Sequence, residues 1–411
     1  MTTDPAFDPR WGQPFSRRTF LQGVGAAAAL AATGSLLAAC SEQPTGTFDG
    51  PPAGRVDFAN WPLYVDRKVE HGQIVRPSLV EFTRQTHIEV NYREVIPDAE
   101  TFYQNIQPYL AAGKPSGWDI AVITNGGTFT KMKGLGYMVE LPTDKRPNFD
   151  QYANDAAKNR SYDPGNQYSM PWQSGVTGIG WNPGLTGGHP VTTLEEFFSG
   201  DLPGKIGMFS DNVDMPNMLL LAIGVEPETS KEADWKRAAQ WLHDKIDKGL
   251  RVTFFKQNYL NALSAGDVVA SMAWSGDVYI ENSVGLPKGL QFASPHEGGL
   301  LWTDNMVIPV GAQHPVDAMT LMDFVYDPKI AAMIAEWVAY ITPVGDAARE
   351  VILQDATDAK NPATKKTLEA LADSPLVFLP PEEASKLHSY RELESDEELK
   401  GWDEAFGRFM A

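Results

Sequence analysis

Cysteine and positive charge are both scarce in this chain of 411 residues. Cys40 is the single cysteine, so no intramolecular disulfide can form. There are 34 Lys and Arg against 53 Asp and Glu, which gives a formal net charge of -19. Such an acidic chain lacks the basic patches that nucleic-acid binding requires, and a cationic ligand suits it better.

Motifs for metal binding and for hydrolytic catalysis are also missing. The seven histidines are scattered without metal-ligand spacing: His71, His87, His189, His243, His296, His314 and His388. The sequence contains no Gly-x-Ser-x-Gly elbow and no His-Glu-x-x-His helix motif. We therefore expect no metal, no cofactor and no enzymatic activity.

Long apolar runs are absent outside the first forty residues, which read as an export signal. Residues 16–22 contain Arg17 and Arg18 in a near-consensus twin-arginine motif. The apolar residues 24–37 that follow are too weak and short for a membrane helix. They lead into Leu-Ala-Ala-Cys, which resembles a lipobox ending at Cys40. This predicts a chain that is lipid-anchored through Cys40 on the outer face of the cytoplasmic membrane, the alternatives being a transmembrane anchor or a free thiol.

The rest of the chain alternates between strand and helix patterns. Residues 41–54 are rich in Pro, Gly, Ser and Thr and predict a flexible tether. Beyond them, short apolar strands alternate with amphipathic helices in two successive runs, which indicates two α/β lobes with largely parallel sheets. One of these helices is expected over residues 78–85 with Ser78 as its cap. The extended, small-residue stretch 168–182 is suited to crossing between the lobes.

Polar and aromatic residues gather where the predicted strands end. Thr124, Asp211, residues 274–277 and residues 302–304 all lie at or beside such ends. Ligands of open α/β sheets bind at the carboxyl ends of strands. We therefore expect these residues to approach one another and to line a site.

Within this set, Trp302 and Asp304 lie on one short predicted strand. Residues two apart on a strand point to the same side, so an indole would stand beside a carboxylate. That pair suits an alkylammonium ligand, since the carboxylate takes the charge and the ring takes the methylenes. The alternative is a core indole beside an aspartate that caps a turn.

Several motifs, in this order and spacing, resemble the substrate-binding proteins of polyamine (spermidine/putrescine) ABC importers. The motifs are Trp61 with Tyr64, residues 118–120, 168–171, 272–276, 298–309 and 340–343. The resemblance implies a two-lobed α/β fold of the periplasmic-binding-protein type II, with a ligand cleft between the lobes. It places residues 55–175 and 304–346 in lobe 1, and residues 176–303 and 347–411 in lobe 2.

The resemblance also implies roles for individual residues. Aromatic rings would box the methylene chain of a polyamine, and the positions that match are Trp61, Tyr64, Trp274 and Trp302. Asp304 would hold one amine, and Asp211 and Asp214 are the candidates for the other amine. Thr124 and Tyr340 would also contribute to the site. The implied partner is an ABC permease.

The chain departs from the family pattern at three places. Pro62 and Leu63 stand where the family often has an acid, and residues 125–127 replace an aromatic residue. Asp277 adds a carboxylate that the family does not always carry, unless it only caps the helix that it opens. The preferred amine therefore stays open, as do a receptor for another solute, such as a sugar or a different amine, and an exported carboxylate-dependent glycoside hydrolase.

Overall fold

The computed structural model describes residues 48–256, 258–283, 289–393 and 395–410. The predicted export signal, including Arg17, Arg18 and Cys40, lies outside the described residues, as does the first half of the predicted tether, residues 41–47. The strands are β1 Arg55–Asn60, β2 Lys68–Glu70, β3 Gln73–Val75, β4 Glu89–Glu94, β5 Ile120–Thr124, β6 Ser169–Trp181, β7 Ile206–Phe209, β8 Val252–Phe255, β9 Ala270–Trp274, β10 Gln291–Ala293 and β11 Leu300–Val307.

Helices alternate with these strands, as the sequence pattern predicts. The helices are α1 Pro77–Thr86, α2 Ala99–Ala111, α3 Gly127–Gly134, α4 Pro147–Tyr152, α5 Leu194–Phe197, α6 Asp214–Ala222, α7 Glu232–Asp247, α8 Tyr259–Ala265, α9 Ser275–Ser283, α10 Pro315–Phe324, α11 Pro328–Val338, α12 Asp346–Asp358, α13 Pro362–Ala372, α14 Pro381–Ala384 and α15 Asp396–Phe406. None of the helices in the described ranges is long and apolar enough to cross a membrane.

One curled sheet contains two parallel groups of strands. Its order is β4-β1-β5-β11-β6-β9-β7-β8, with β10 added beside β6, while β2 and β3 form a separate hairpin. β1 is parallel to β4 and β5, and β7 is parallel to β8 and β9. Between the two groups, β11 and β6 run antiparallel to each other and to their outer neighbours β5 and β9. This is the mixed α/β, periplasmic-binding-protein-like fold that the sequence predicts.

The two central strands connect the parallel groups. Residues 304–307 of β11 pair with β5, and residues 177–181 of β6 pair with β9. The predicted lobe boundaries therefore fall inside β6 and β11, within the sheet itself. The helix α12 packs against α11, which belongs to the predicted lobe 1. The exact lobe limits stay a prediction.

The start of α1 differs from the prediction. Arg76 occupies the cap position without a side-chain bond, and Pro77 takes the first helical position, where its missing N–H costs nothing. Ser78 is therefore not the cap. Its backbone N–H donates to Asp66 Oδ2 at 2.9 Å, so a residue of the loop between β1 and β2 satisfies an N–H group at the free end of the helix.

Candidate functional site

Strand β11 carries Trp302 and Asp304 into the centre of the sheet. Trp302 lies opposite Gly175 of β6, and Asp304 lies between Gln173 of β6 and Thr124 of β5. Asp304 is 5% exposed. Its carboxylate accepts hydrogen bonds from Tyr64 Oη at 2.7 Å and from Thr124 Oγ1 at 2.5 Å. The structure therefore brings Tyr64, Thr124 and Asp304 together, across separations of 180 and 240 positions.

An aromatic wall continues from this carboxylate. The ring centroid of Tyr340 lies 5.3 Å from Trp302 and 5.8 Å from Tyr64. Trp302 is 7% exposed and Tyr340 is 3% exposed, so both rings are buried where they contact each other. Such edge and tilted contacts are the arrangements that aromatic pairs prefer.

Asp277 lies on the first turn of α9, beside the same wall. Its two oxygens accept hydrogen bonds from Tyr340 Oη at 2.7 Å and from Tyr259 Oη at 3.0 Å. Burial and the charge of Asp277 raise the pKa of Tyr259 well above its ordinary value. The Tyr259 phenol therefore keeps its proton and remains a donor. These contacts turn the Asp277 carboxylate toward two tyrosines.

Asp214 forms a third carboxylate centre at the start of α6. It accepts hydrogen bonds from Thr177 Oγ1 at 2.6 Å, Tyr390 Oη at 2.6 Å and Trp274 Nε1 at 3.0 Å. Burial raises the pKa of Asp214, against the effect of these donors. Trp274 also donates its backbone N–H to Tyr259 Oη at 3.1 Å, which links the Asp214 centre to the Asp277 centre.

Asp211 lies three positions earlier, where its side chain supports the turn before α6. Its Oδ1 accepts the backbone N–H groups of Val213 at 2.7 Å and Asp214 at 2.5 Å. Burial and the nearby charge of Asp214 raise the pKa of Asp211 to about 7. Asp211 is thus linked to the cluster by its hydrogen bond to the backbone of Asp214 and by the charge interaction between the two carboxylates.

Trp61 stands apart from these contacts. It follows β1, and its indole N–H donates to the backbone oxygen of Val122 at 3.0 Å. Its partly buried ring packs against both hydrophobic clusters of the sheet. The described contacts thus tie Trp61 to the core of the sheet. A ligand-binding role for it, as for the other predicted residues, stays a prediction.

Three residues of the cluster were missed by the sequence reasoning: Thr177, Tyr259 and Tyr390. Thr177 and Tyr259 carried a usable signal, because Thr177 lies on the predicted crossing stretch and Tyr259 soon follows the end of β8. Tyr390 carried none, since it reaches Asp214 from 176 positions away, outside any strand.

One group in the described chain could geometrically hold a metal ion: Asp57, Asp119 and His314. Its oxygens already serve the fold. Asp119 accepts the backbone N–H groups of Asp57 at 2.9 Å and of Gln313 at 2.8 Å, and it lies 2.8 Å from His314 Nδ1. Asp57 accepts a hydrogen bond from Arg55 at 2.8 Å. These hydrogen bonds connect β1 and the start of β5 to the segment before α10. They are sufficient to account for the close approach of the three side chains.

The chain resembles known binding proteins over most of its length. It is 27% identical over 304 residues to the spermidine/putrescine-binding periplasmic protein of Escherichia coli K12, covering 74% of this chain and 81% of that protein. It is also 27% identical over 368 residues to the putrescine-binding periplasmic protein SpuD of Pseudomonas aeruginosa, covering 84% and 92%.

A solved structure shares the fold. The spermidine/putrescine ABC transporter substrate-binding protein PotD from Streptococcus pneumoniae superposes with a TM-score of 0.67 at 21% identity, covering 87% of this chain and 98% of that one. The family of bacterial extracellular solute-binding proteins matches residues 78–364, which is more than half of the chain. This chain belongs to that family.

Proposed function

We propose that the chain is a non-enzymatic receptor that captures a polyamine-like aliphatic cation and delivers it to an ABC permease. The relatives whose names specify spermidine or putrescine support the ligand class. PotD, a substrate-binding protein of a spermidine/putrescine ABC transporter, supports the partner.

The observation that carries the proposal is a set of three carboxylates around an aromatic wall, of which those of Asp214 and Asp304 are buried and that of Asp277 is half-buried. Asp214, Asp277 and Asp304 accept hydrogen bonds from hydroxyl and indole groups, which orient their oxygens. A ligand ammonium pairs well with a carboxylate oriented in this way, and the rings of Trp302 and Tyr340 cover the methylenes.

The energies are adequate for a receptor. Burying an ammonium costs several kcal/mol unless it is paired and hydrogen-bonded. Each desolvated contact between a cation and an aromatic face returns about 2 kcal/mol. Carboxylates and rings together can therefore reach micromolar affinity, which corresponds to about -8 kcal/mol.

Asp304→Asn tests the site directly. The amide keeps the shape of the side chain and loses its charge, so we expect amine affinity to fall at least about tenfold. Isothermal titration calorimetry measures the change. Asp323→Asn is the matched control, because Asp323 is also buried but accepts backbone N–H groups of α4, away from the cluster. Unchanged affinity in Asp304→Asn removes Asp304 from the site.

A thermal-shift panel tests the ligand class. A ligand that binds only the folded state raises the melting temperature. We expect putrescine or spermidine to raise it, and amino acids and sugars to leave it unchanged. A response to sugars alone identifies a receptor for another solute, and turnover of glycosides identifies a hydrolase.

The proposal includes twin-arginine export and a lipid anchor. The periplasmic location named for the relatives supports an extracytoplasmic receptor, and the sequence at Arg17, Arg18 and Cys40 supports the route and the anchor. Lysine at both arginine positions is expected to retain the chain in the cytoplasm. Cys40→Ala is expected to release it from the membrane fraction. Cell fractionation distinguishes these outcomes, and a soluble wild-type chain contradicts the anchor.

A further inference from the structure

The indole N–H of Trp302 is buried, and no described residue accepts a hydrogen bond from it. Other indoles of the described chain do find acceptors: Trp61, Trp172, Trp235, Trp274, Trp337 and Trp402. A buried donor without an acceptor loses its hydrogen bonds to water and forms none in the protein, which costs free energy. Phenylalanine would offer a ring at this position without that cost. The N–H therefore points to an acceptor that the described part of the chain does not supply.

The position of Trp302 limits where this acceptor lies. Trp302 and Asp304 are two residues apart on β11, so their side chains leave the same side of the strand about 7 Å apart. A ligand whose ammonium is held at Asp304 and whose chain runs along the wall therefore passes Trp302. Spermidine and putrescine carry only protonated amines at neutral pH, and these groups donate hydrogen bonds without accepting them.

We propose that the cleft takes an aliphatic amine carrying an uncharged oxygen acceptor, with its ammonium at Asp304 and the acceptor at the Trp302 N–H. An N-acylated diamine, such as N-acetylputrescine, has this chemistry, because its amide oxygen lies a short methylene chain away from its ammonium. The inference rests on the proposed amine-binding function and narrows its ligand class.

The acids Asp211 and Asp214, at the other end of the cluster from Asp304, favour a ligand that carries only one positive charge. Burial raises the pKa of Asp214, and burial with the neighbouring charge raises that of Asp211. Two acids that hold protons more readily than usual offer less negative charge to a second ammonium. A neutral amide end avoids that requirement.

Calorimetry on the full chain with putrescine and N-acetylputrescine tests the inference. We expect wild-type protein to bind N-acetylputrescine at least about fivefold more tightly than putrescine. Trp302→Phe keeps a ring and removes the N–H, so the ratio of the two dissociation constants should shift about tenfold toward putrescine. Trp337→Phe is the matched control, since it loses an indole that donates to Leu63 within the protein, and it should leave the ratio unchanged.

A second measurement avoids dependence on the folding of a variant. In isotope-labelled wild-type protein, the Trp302 indole N–H resonance should move downfield with N-acetylputrescine and not with putrescine. Tighter binding of putrescine, equal weakening of both ligands in Trp302→Phe, or an unmoved resonance overturns the inference and leaves amine binding intact. Absence of binding by either amine instead overturns the proposed function.

Discussion

Two glycines allow the aromatic wall to form. A Cβ added to Gly175 would lie 2.3 Å from Trp302 Cζ2, and one added to Gly276 would lie 2.7 Å from the Tyr340 ring. Contacts this short do not occur, so a larger residue would displace the ring. Within the small-residue stretch 168–182, position 175 therefore requires glycine, because β6 passes beneath the Trp302 indole there.

Gly175→Ala is expected to weaken amine binding at least about tenfold, because the Trp302 ring must move away from the ligand chain. Crowding in a packed region typically costs about 1–3 kcal/mol, so the melting temperature should fall as well. Calorimetry and thermal unfolding measure the two effects.

Gly134→Ala is the control for this change. Gly134 ends α3, and an added Cβ there meets no atom within 4 Å. Its binding and melting temperature should match those of the wild type. Wild-type affinity in Gly175→Ala would show that the position of the Trp302 ring does not matter for binding.

The cluster at this scale was only partly predictable. The two-residue period of a strand sufficed to place Trp302 beside Asp304. It could not supply the hydrogen-bond partners, because Asp304 receives Tyr64 from 240 positions away. The Asp277 carboxylate was ambiguous for the same reason, since a helix cap and a tyrosine acceptor look alike until the fold brings Tyr259 and Tyr340 near.

At the scale of elements, the segment 386–393, here called the C-terminal strap, connects distant parts of the cluster. His388 N donates to Gly299 O at 2.9 Å, and Leu301 N donates to His388 O at 2.9 Å, so the strap extends the sheet beside the start of β11. Tyr390 then reaches Asp214 of α6, and Glu392 accepts a hydrogen bond from Thr130 of α3. One irregular segment thus touches β11, α6 and α3.

Tyr390→Phe tests whether the strap supports binding. The change removes one of three described donors to Asp214, which makes the charged carboxylate less stable. Hydrogen bonds to charged groups are worth about 1.5–3 kcal/mol, so we expect amine affinity to fall about tenfold or more. Calorimetry measures it. Tyr109→Phe on the exposed side of α2 is the control, and equal affinities of the two variants would exclude the strap from the site.

The alternation of strands and helices was predictable and the strap was not. Buried runs such as Ile120–Thr124 and amphipathic helices such as α7 carry periodic signals along the chain. The strap has no such period, and its pairing with β11 depends on where the sheet leaves an edge open. The antiparallel insertion of β11 between β5 and β6 likewise depends on contacts between distant segments.

At the scale of the whole molecule, closing the protein around this cluster takes acids out of water. Asp211 itself is half-buried, and its partial burial together with the charge of Asp214 raises its pKa to about 7. Its ordinary pKa is 3.8, so between these values the folded chain holds a proton that the unfolded chain has lost. The ligand-free protein is therefore stabilised at low pH, and this contribution disappears as the pH rises through about 7.

A bound diamine such as putrescine reverses this preference, because its second ammonium near the pair favours the charged carboxylate. Putrescine binding near pH 6 should therefore release protons, and putrescine affinity should rise between pH 5.5 and 8 by about tenfold. Titrations in buffers of different ionisation enthalpy measure the number of protons released, and this number should fall to zero above about pH 8.

The variant Asp211→Asn has no proton to release at this position, so its affinity should vary less with pH. The wild-type melting temperature without ligand should fall over this range more than that of Asp211→Asn. If wild type and variant instead share one flat profile, Asp211 does not couple proton release to ligand capture.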